Sequence, residues 1–365
     1  MLEQFHVPED IAVRVLQQDM RSTVEDIFMK MGMAQTDARQ SADALMYADI
    51  RGIESHGVSN MMRSYVEGFG KGSINPRPNW RVIRESASGA TIDCDRGLGL
   101  AVGPQAMKIA IEKAGRSGAG VVTCTNGRHF GAAAYHAQIA LRHDMIGMAM
   151  TVGGNRVVPT FGAKPMIGLN PIAFAAPTRK EPPFVFDAST SSVAGNKIAL
   201  AKRLGVPAMP GWIAEPDGTP IMDTRPIPED YLMLPLGATR EIGSHKGYGL
   251  SVMVDILCGV LSGTGPGFKN RGKASHFFMA IKVAAFTDLA KFKSDMDDFM
   301  EGLRETPPAP GHERVVYAGL PEHEAEMDRS VNGIPYHPEV IAWFKGTVAE
   351  LRLRDRLPEA RTKRG

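Results

Sequence analysis

The chain has 365 residues, 43% hydrophobic and 22% charged, a globular composition and a length better suited to two or three units than to one core. A formal net charge of +2 builds no field strong enough to gather nucleic acid or an anionic membrane. The three cysteines, Cys94, Cys124 and Cys258, are widely spaced and form no Cys-x-x-Cys pair, so neither a disulfide framework nor a zinc knot is expected and a reducing cytoplasm fits.

Met1 to Asp10 carries charges and no apolar run, so no secretory signal is expected. Residues 1 to about 50 read as helical, with Pro8 at a first helical position and apolar residues recurring from Ile11 to Phe28. A helix capped by Thr36, with Asp37 at its positive end and Leu45 and Met46 on its apolar side, runs to Gly52. The connection that follows, Glu54-Ser55-His56-Gly57-Val58, carries a hydroxyl beside an imidazole. On a loop, a histidine can exchange protons with a ligand near neutral pH, or it can be solvated or cap a core.

Asn75-Pro76 and Pro78 interrupt the chain, and Thr91 to Cys94 is a short strand. Pro104 to Gly115 reads as a helix and Gly118 to Thr123 as a buried strand. Further helices are expected over Ala132 to Arg142, Val193 to Leu204, Lys246 to Leu261 and Ser294 to Arg304. Strands are expected over Gly147 to Thr151, Ile172 to Ala175, Phe184 to Asp187 and Phe277 to Phe286. Asp217-Gly218 is a turn, Pro307 to Gly311 breaks the chain, and Pro338 opens a final amphipathic helix with Val340, Ile341, Phe344, Val348 and Leu351 on one side. The basic run Arg354 to Arg364 reads as a frayed tail. The longest apolar stretch, Leu250 to Leu261, contains Asp255 and is too short to span a bilayer. Mixed strands and helices give an α/β class.

Gly97, Gly99 and Gly103 imitate a dinucleotide fingerprint, but the third glycine comes one place late and no acidic residue follows at the expected distance. The segment reads as a turn feeding a helix. His129 lies in a strand-to-helix loop, Asn126 to Gly131, where it can line a cleft or cap the helix after it. Asp187 ends a strand and precedes Ser189, Thr190, Ser191 and Ser192. These groups suit sugar or phosphate oxygens, and one hydroxyl also suits an N-cap. Lys246 at a helix start, after Ser244-His245, points to an anion there, or else to a solvated lysine. The punctuated stretch Asn155 to Pro177 reads as a long ordered loop. No histidine pair has metal-ligand spacing, so no metal is expected.

Five segments in one order carry a resemblance: Glu54 to Val58, Asn126 to Gly131, Gly168-Leu169-Asn170-Pro171-Ile172-Ala173, Asp187 to Ser192, and Lys246-Gly247-Tyr248-Gly249-Leu250. From about residue 10 to 345 the chain resembles the malate/L-lactate dehydrogenase family, which is distinct from the Rossmann-type dehydrogenases. Relatives in that family act on sulfolactate, ureidoglycolate, diketogulonate and piperideine-2-carboxylate.

The resemblance implies an L-sulfolactate dehydrogenase-like, non-Rossmann nicotinamide-binding fold, with a helical part from 1–120 packing with 290–365 and a central α/β domain over 121–289. It implies a cytoplasmic homodimer, with its active site between domains, that transfers hydride between NAD or NADP and a small 2-oxo or 2-hydroxy acid. A cyclic imino acid is the alternative substrate. His56 and His129 both match the family's acid/base positions, with Ser55 or Asp187 orienting His56. Phe186, Asp187, Ala188, Ser189, Thr190, Ser191, His245, Lys246, Gly319 and Leu320 match cofactor contacts. Where many members carry an arginine for the substrate carboxylate, this chain has Asn60, which leaves Arg51 and Arg63 as substitutes. Ala318-Gly319-Leu320 replaces a Pro-Gly-Glu contact, and Gly153-Gly154 replaces a more polar pair. Two readings compete: a lyase or hydrolase using Ser55 as nucleophile and His56 as base, although no Gly-x-Ser-x-Gly elbow occurs, and a silent binding protein that kept the fold.

Overall fold

A computed structural model describes residues 6–270 and 272–359, apart from the side chain of Arg203. Residues 1–5 and 360–365, and with them parts of the stretch Met1 to Asp10 and of the basic run Arg354 to Arg364, lie outside the described residues. In chain order the elements begin with β1 (Val13–Val15), α1 (Gln17–Lys30), α2 (Gln35–Ile50), α3 (Val58–Gly70), β2 (Arg81–Glu85), β3 (Gly89–Asp93), α4 (Gly99–Ser117) and β4 (Ala119–Gly127). They continue through α5 (Ala133–Gln138), β5 (Met145–Val152), β6 (Ile172–Ala176), β7 (Phe184–Ala188), α6 (Gly195–Leu204), β8 (Ile213–Ala214), β9 (Leu232–Met233) and α7 (Ser244–Val254). The last are β10 (Ala274–Lys282), α8 (Leu289–Arg304), α9 (Leu320–Asn332), β11 (Ile334–Tyr336) and α10 (Pro338–Glu350). Two compact units result: Met1–Pro78 with Gly319–Gly365, and Asn79–Ala318.

The terminal unit is helical, with one short antiparallel ladder in which Val13 and Val15 face Tyr336 and Ile334. The expected helix from Pro8 is a single turn, whose Pro8 carbonyl accepts from Ile11 and Ala12 N–H. The chain then extends, because Val13 and Val15 bury one face and their partner strand comes from the far end of the chain. Local periodicity cannot register such a partner. Thr36 does not cap α2: Ala34 is the cap residue and Thr36 sits inside the first turn, with Asp37 beside it. In α10 the expected face is buried at Val340, Ile341, Phe344 and Val348.

The central unit is built on a seven-stranded sheet ordered β2-β3-β4-β10-β5-β6-β7. Only β3 and β4 run parallel; every other neighbouring pair is antiparallel. Residues 79–120, expected with the terminal helices, carry β2, β3 and α4 and belong to this sheet through the β3–β4 ladder. Residues 290–318 stay with it as well. Asp297 of α8 accepts from the backbone N–H groups of Arg179, Lys180 and Glu181, and Arg304 grips the Glu181 carboxylate at 2.6 and 3.2 Å.

α4 starts at Gly99, five residues before Pro104, because Gly99 and Gly103 pack it against the α5 region. A Cβ at Gly99 would lie 2.3 Å from Phe130 Cβ, and one at Gly103 would lie 2.6 Å from His136 Cε1. These glycines therefore serve close packing, not a phosphate turn. β10 ends at Lys282, where a 3-10 turn over Val283–Ala285 replaces the expected strand. The apolar stretch after α7 continues as a π-helix, Asp255–Val260, and Asp255 accepts from Gly267 N–H at 2.8 Å. A separate apolar cluster of Val157, Ile167, Val193, Ile198, Ile213 and Met233 orders the long loop of 155–177.

Candidate functional site

In the terminal unit the first candidates sit on a braced turn. α2 ends at Ile50, and Gly52, at φ +72°, lets the chain reverse. A 3-10 turn, Glu54–His56, then leads into α3. Ser55 Oγ and His56 Nδ1 are 2.9 Å apart. Both side chains are partly exposed, as expected for a connection.

The turn is held at both ends. Arg329 of α9 donates to the Asp49 carbonyl at 2.5 Å and to Glu54 Oε1 at 3.0 Å, while Asn60 Nδ2 donates to the Glu54 carbonyl at 2.9 Å. Asp49 Oδ2 accepts from Val58 N–H at 3.2 Å and from the Tyr336 hydroxyl at 2.9 Å. Asp49 is 1% exposed, and burial pushes its carboxyl up to about 7 against the pull of these two donors. Arg51 faces Glu326 at 2.5 Å and lies 4.9 Å from the centre of the Tyr47 ring. Arg63 faces Glu339 at 3.0 Å and lies over Trp343, with 44% of its side chain exposed. Of the proposed substrate residues, the turn gathers Asn60. The two arginines are engaged elsewhere on the unit.

In the central unit His129 and Asp187 meet the same helix start. His129 Nδ1 accepts from Gly131 N–H at 3.3 Å, and Asp187 Oδ2 accepts from Ala134 N–H, in the first turn of α5, at 2.8 Å. β7 thus supplies the acidic group at the positive end of α5 from across the sheet. Behind this loop Phe130 is stacked between His136 and His276, with centroids 4.7 and 4.8 Å away. Burial pushes these imidazoles down to about 4 and about 3.

The hydroxyl run does not cap α6, whose cap residue is Ala194 without a side-chain bond. Thr190 donates to the Leu169 and Asn170 carbonyls, Ser191 to that of Val193, and Ser192 to that of Pro235. Thr190 and Ser191 are buried, whereas Phe186 and Asp187 are exposed. At the start of α7, Gly243 takes φ +103° and Arg240 Nη1 stands 3.0 Å from His245 Nδ1, so Arg240, His245 and Lys246 gather three exposed basic side chains at a positive helix end. Beside them a cavity of about 340 Å³ is lined by Thr160, Phe161, Met222, Ala238, Arg240 and Ser244. Gly319, at φ +99°, and Leu320 form the start of α9. This set fits a diphosphate-bearing cofactor: Arg240 and Lys246 cations at α7, beside Glu241, and an exposed strand end at β7. Among the described residues no group of three or more His, Cys, Asp or Glu is placed to hold a metal.

Sequence reasoning missed Asp49, Arg329, Tyr336 and Arg240. For Asp49 there was one signal, a carboxylate three residues after Met46 on the apolar side of α2. The others depend on partners distant in sequence.

The chain matches known proteins over most of its length. The malate/L-lactate dehydrogenase family model matches residues 15–345. The chain is 40% identical over 348 residues to a malate dehydrogenase of Pyrococcus abyssi, covering 93% of this chain and 95% of that protein. It is 33% identical over 319 residues to an L-sulfolactate dehydrogenase of Methanocaldococcus jannaschii, covering 85% and 89%. The crystal structure of a malate dehydrogenase from Pyrococcus horikoshii superposes with a TM-score of 0.87 at 36% identity, covering 96% and 98%.

The buried imidazoles predict an acid-sensitive fold. Their folded-state values lie below the ordinary 6.5, so the unfolded chain binds protons first. The stability they confer is complete above pH 6.5 and is lost as pH falls toward 4 and then 3. Unfolding midpoints measured across this range should drop with pH, and His136→Gln, which keeps a donor toward the Phe130 carbonyl, should flatten the slope. Equal slopes in both proteins would refute this.

Proposed function

Because the chain belongs to the malate/L-lactate dehydrogenase family and is a nicotinamide-dependent oxidoreductase of small 2-hydroxy acids, we propose that His56 exchanges the substrate proton. The observation that carries this is the 2.9 Å contact of Ser55 Oγ with His56 Nδ1. It supports a ring orientation in which Nε2 carries the proton that passes to a carbonyl oxygen in reduction and takes it from a hydroxyl in oxidation. The cofactor, NAD or NADP, supplies or accepts the hydride. Phe186, Asp187, Ala188 and Ser189 at the end of β7, the basic group Arg240, His245 and Lys246, and Gly319 with Leu320 are the residues we assign to holding it. Buried Thr190 and Ser191 shape the strand end that does so.

Proton transfer by a positioned group contributes roughly 10²–10⁴-fold. His56→Ala should therefore lower kcat by about that factor while NADH or NADPH still quenches or enhances fluorescence on binding. The assay follows loss of reduced-cofactor absorbance with oxaloacetate, pyruvate, sulfopyruvate and Δ1-piperideine-2-carboxylate. Unchanged turnover in His56→Ala would move the role to His129, and preference for the cyclic imine would select the imino-acid reading.

Arg63 is our choice for the substrate carboxylate. Its pair with Glu339 is half exposed, the kind worth about 0–1 kcal/mol and easily exchanged for another planar anion. Arg51 is 90% shielded and pinned by Glu326 and Tyr47. Arg63→Ala should raise the KM for the keto acid with little loss of stability, whereas Arg51→Ala should cost about 1–3 kcal/mol in urea unfolding. The opposite pattern would exchange their roles.

We further assign a cytoplasmic homodimer. Three buried free thiols suit a reducing compartment. Leu250, Met253, Ile256 and Val260 form a helical stripe 38–52% exposed, which is unusual for a face that meets only water. Sedimentation should show a dimer that Met253→Asp dissociates; a monomeric parent protein would end this assignment.

A further inference from the structure

We propose that Asp49 is a positioning residue for the acid–base turn: its buried carboxylate holds the backbone at Gly57 and Val58 and so sets where the His56 imidazole stands. This rests on the assignment of His56 made above. Asp49 is the last-but-one residue of α2, seven residues before His56, and its side chain reaches past the whole turn. Oδ2 accepts from Val58 N–H, the first residue of α3. Oδ1 occupies the space that a Cβ at Gly57 would need, 1.6 Å from that position. Gly57 has φ −85°, so glycine is required there by the carboxylate and not by the backbone. At the other end, Arg329 ties the Asp49 carbonyl to the Glu54 side chain. Both ends of the three-residue turn are thus referenced to one residue.

A neutral acceptor would meet the same two donors at less cost, since burying a carboxylate is unfavourable. The groups facing Asp49 are Glu54 on the turn, Arg329 on α9 and Tyr336 on β11, while α3 presents only its amide. Glu54 and burial favour the protonated form, and Arg329 and the two hydrogen bonds favour the anion, which leaves Asp49 titrating at about 7. Its charge therefore changes over the range in which a histidine exchanges protons. The anion tightens the bonds to Val58 and Tyr336 and favours a cationic imidazole nearby.

The test compares Asp49→Asn, Tyr336→Phe and His56→Asn with the parent protein, using oxaloacetate with NADH or NADPH from about pH 5.5 to 9. In parallel, NMR of ¹⁵N-histidine-labelled protein follows the His56 ring, identified by its loss in His56→Asn. Asp49→Asn should lower kcat by about tenfold or more, as small misplacements of a catalytic group do. The cofactor KM should stay within about twofold, while the limb of the kcat profile near neutrality and the His56 titration should both move. Tyr336→Phe should shift both in the same direction by less, and it decides the matter if Asp49→Asn does not fold. A folded variant with the parent's kcat profile and His56 titration overturns the proposal. If His56→Asn turns over normally while Asp49→Asn still moves the His56 titration, the positioning stands and the assignment of His56 as acid falls.

Discussion

A carboxylate placed where no water reaches it organises the terminal unit. Asp49 is buried, and α3, α9 and β11 each contribute a donor that the carboxylate or its own carbonyl accepts. Ionising it inside the fold costs on the order of 4 kcal/mol more than in water, from its rise to about 7. That is what remains after two hydrogen bonds and the nearby Arg329 guanidinium have offset part of the burial penalty, and they do so only in one geometry. The constraint is directional: hydrogen bonds fix angles as well as distances, whereas apolar burial such as that of Leu45 and Met46 on the same helix has no preferred direction. The glycine at 57 follows from the same constraint.

The central unit solves a different problem. Its sheet is almost entirely antiparallel, and in its one parallel β–α–β unit, β3–α4–β4, the glycines that open α4 are closed against Phe130 and His136 rather than open to a phosphate. Anion-binding capacity lies instead at two helix starts. One, α5, receives Asp187 from β7. The other, α7, is surrounded by basic side chains. The first is already satisfied by a protein carboxylate; the second presents Arg240, His245 and Lys246, with Glu241 next to Arg240. Phe130, clamped between two neutral imidazoles, makes the loop bearing His129 rigid from behind. Neutrality matters there, because two protonated rings on either side of one benzene ring would repel each other in an apolar setting.

Local chemistry made much of this legible. The helix of Pro338 showed in its apolar spacing, and the turn at Gly52 in the glycine itself. Ser55 and His56 could be placed on a connection because Gly52 ends the helix before them. By contrast, β2 is exposed at all five positions and carries no alternation to detect. Val13 and Val15 looked helical because residues of a short strand and of a helix can share an apolar spacing over five positions. The hydroxyls after Asp187 looked like a cap, yet their acceptors at Leu169, Asn170 and Pro235 come from other loops.

Residue types and their order determined the family, the position of a histidine on a connection, and the lack of a dinucleotide fingerprint. These rest on short-range features: a glycine's φ, a proline's ring, a motif's spacing. Tertiary structure decided which arginine is pinned and which is half exposed, which hydroxyls are buried, and that Asp49, one of the aspartates of α2, reaches past the following turn to the start of α3. Those outcomes depend on burial and on partners brought from the other end of the chain, such as Arg329 and Tyr336. No local pattern encodes them, because the free energy of a buried polar group is set by what surrounds it and not by its neighbours in sequence.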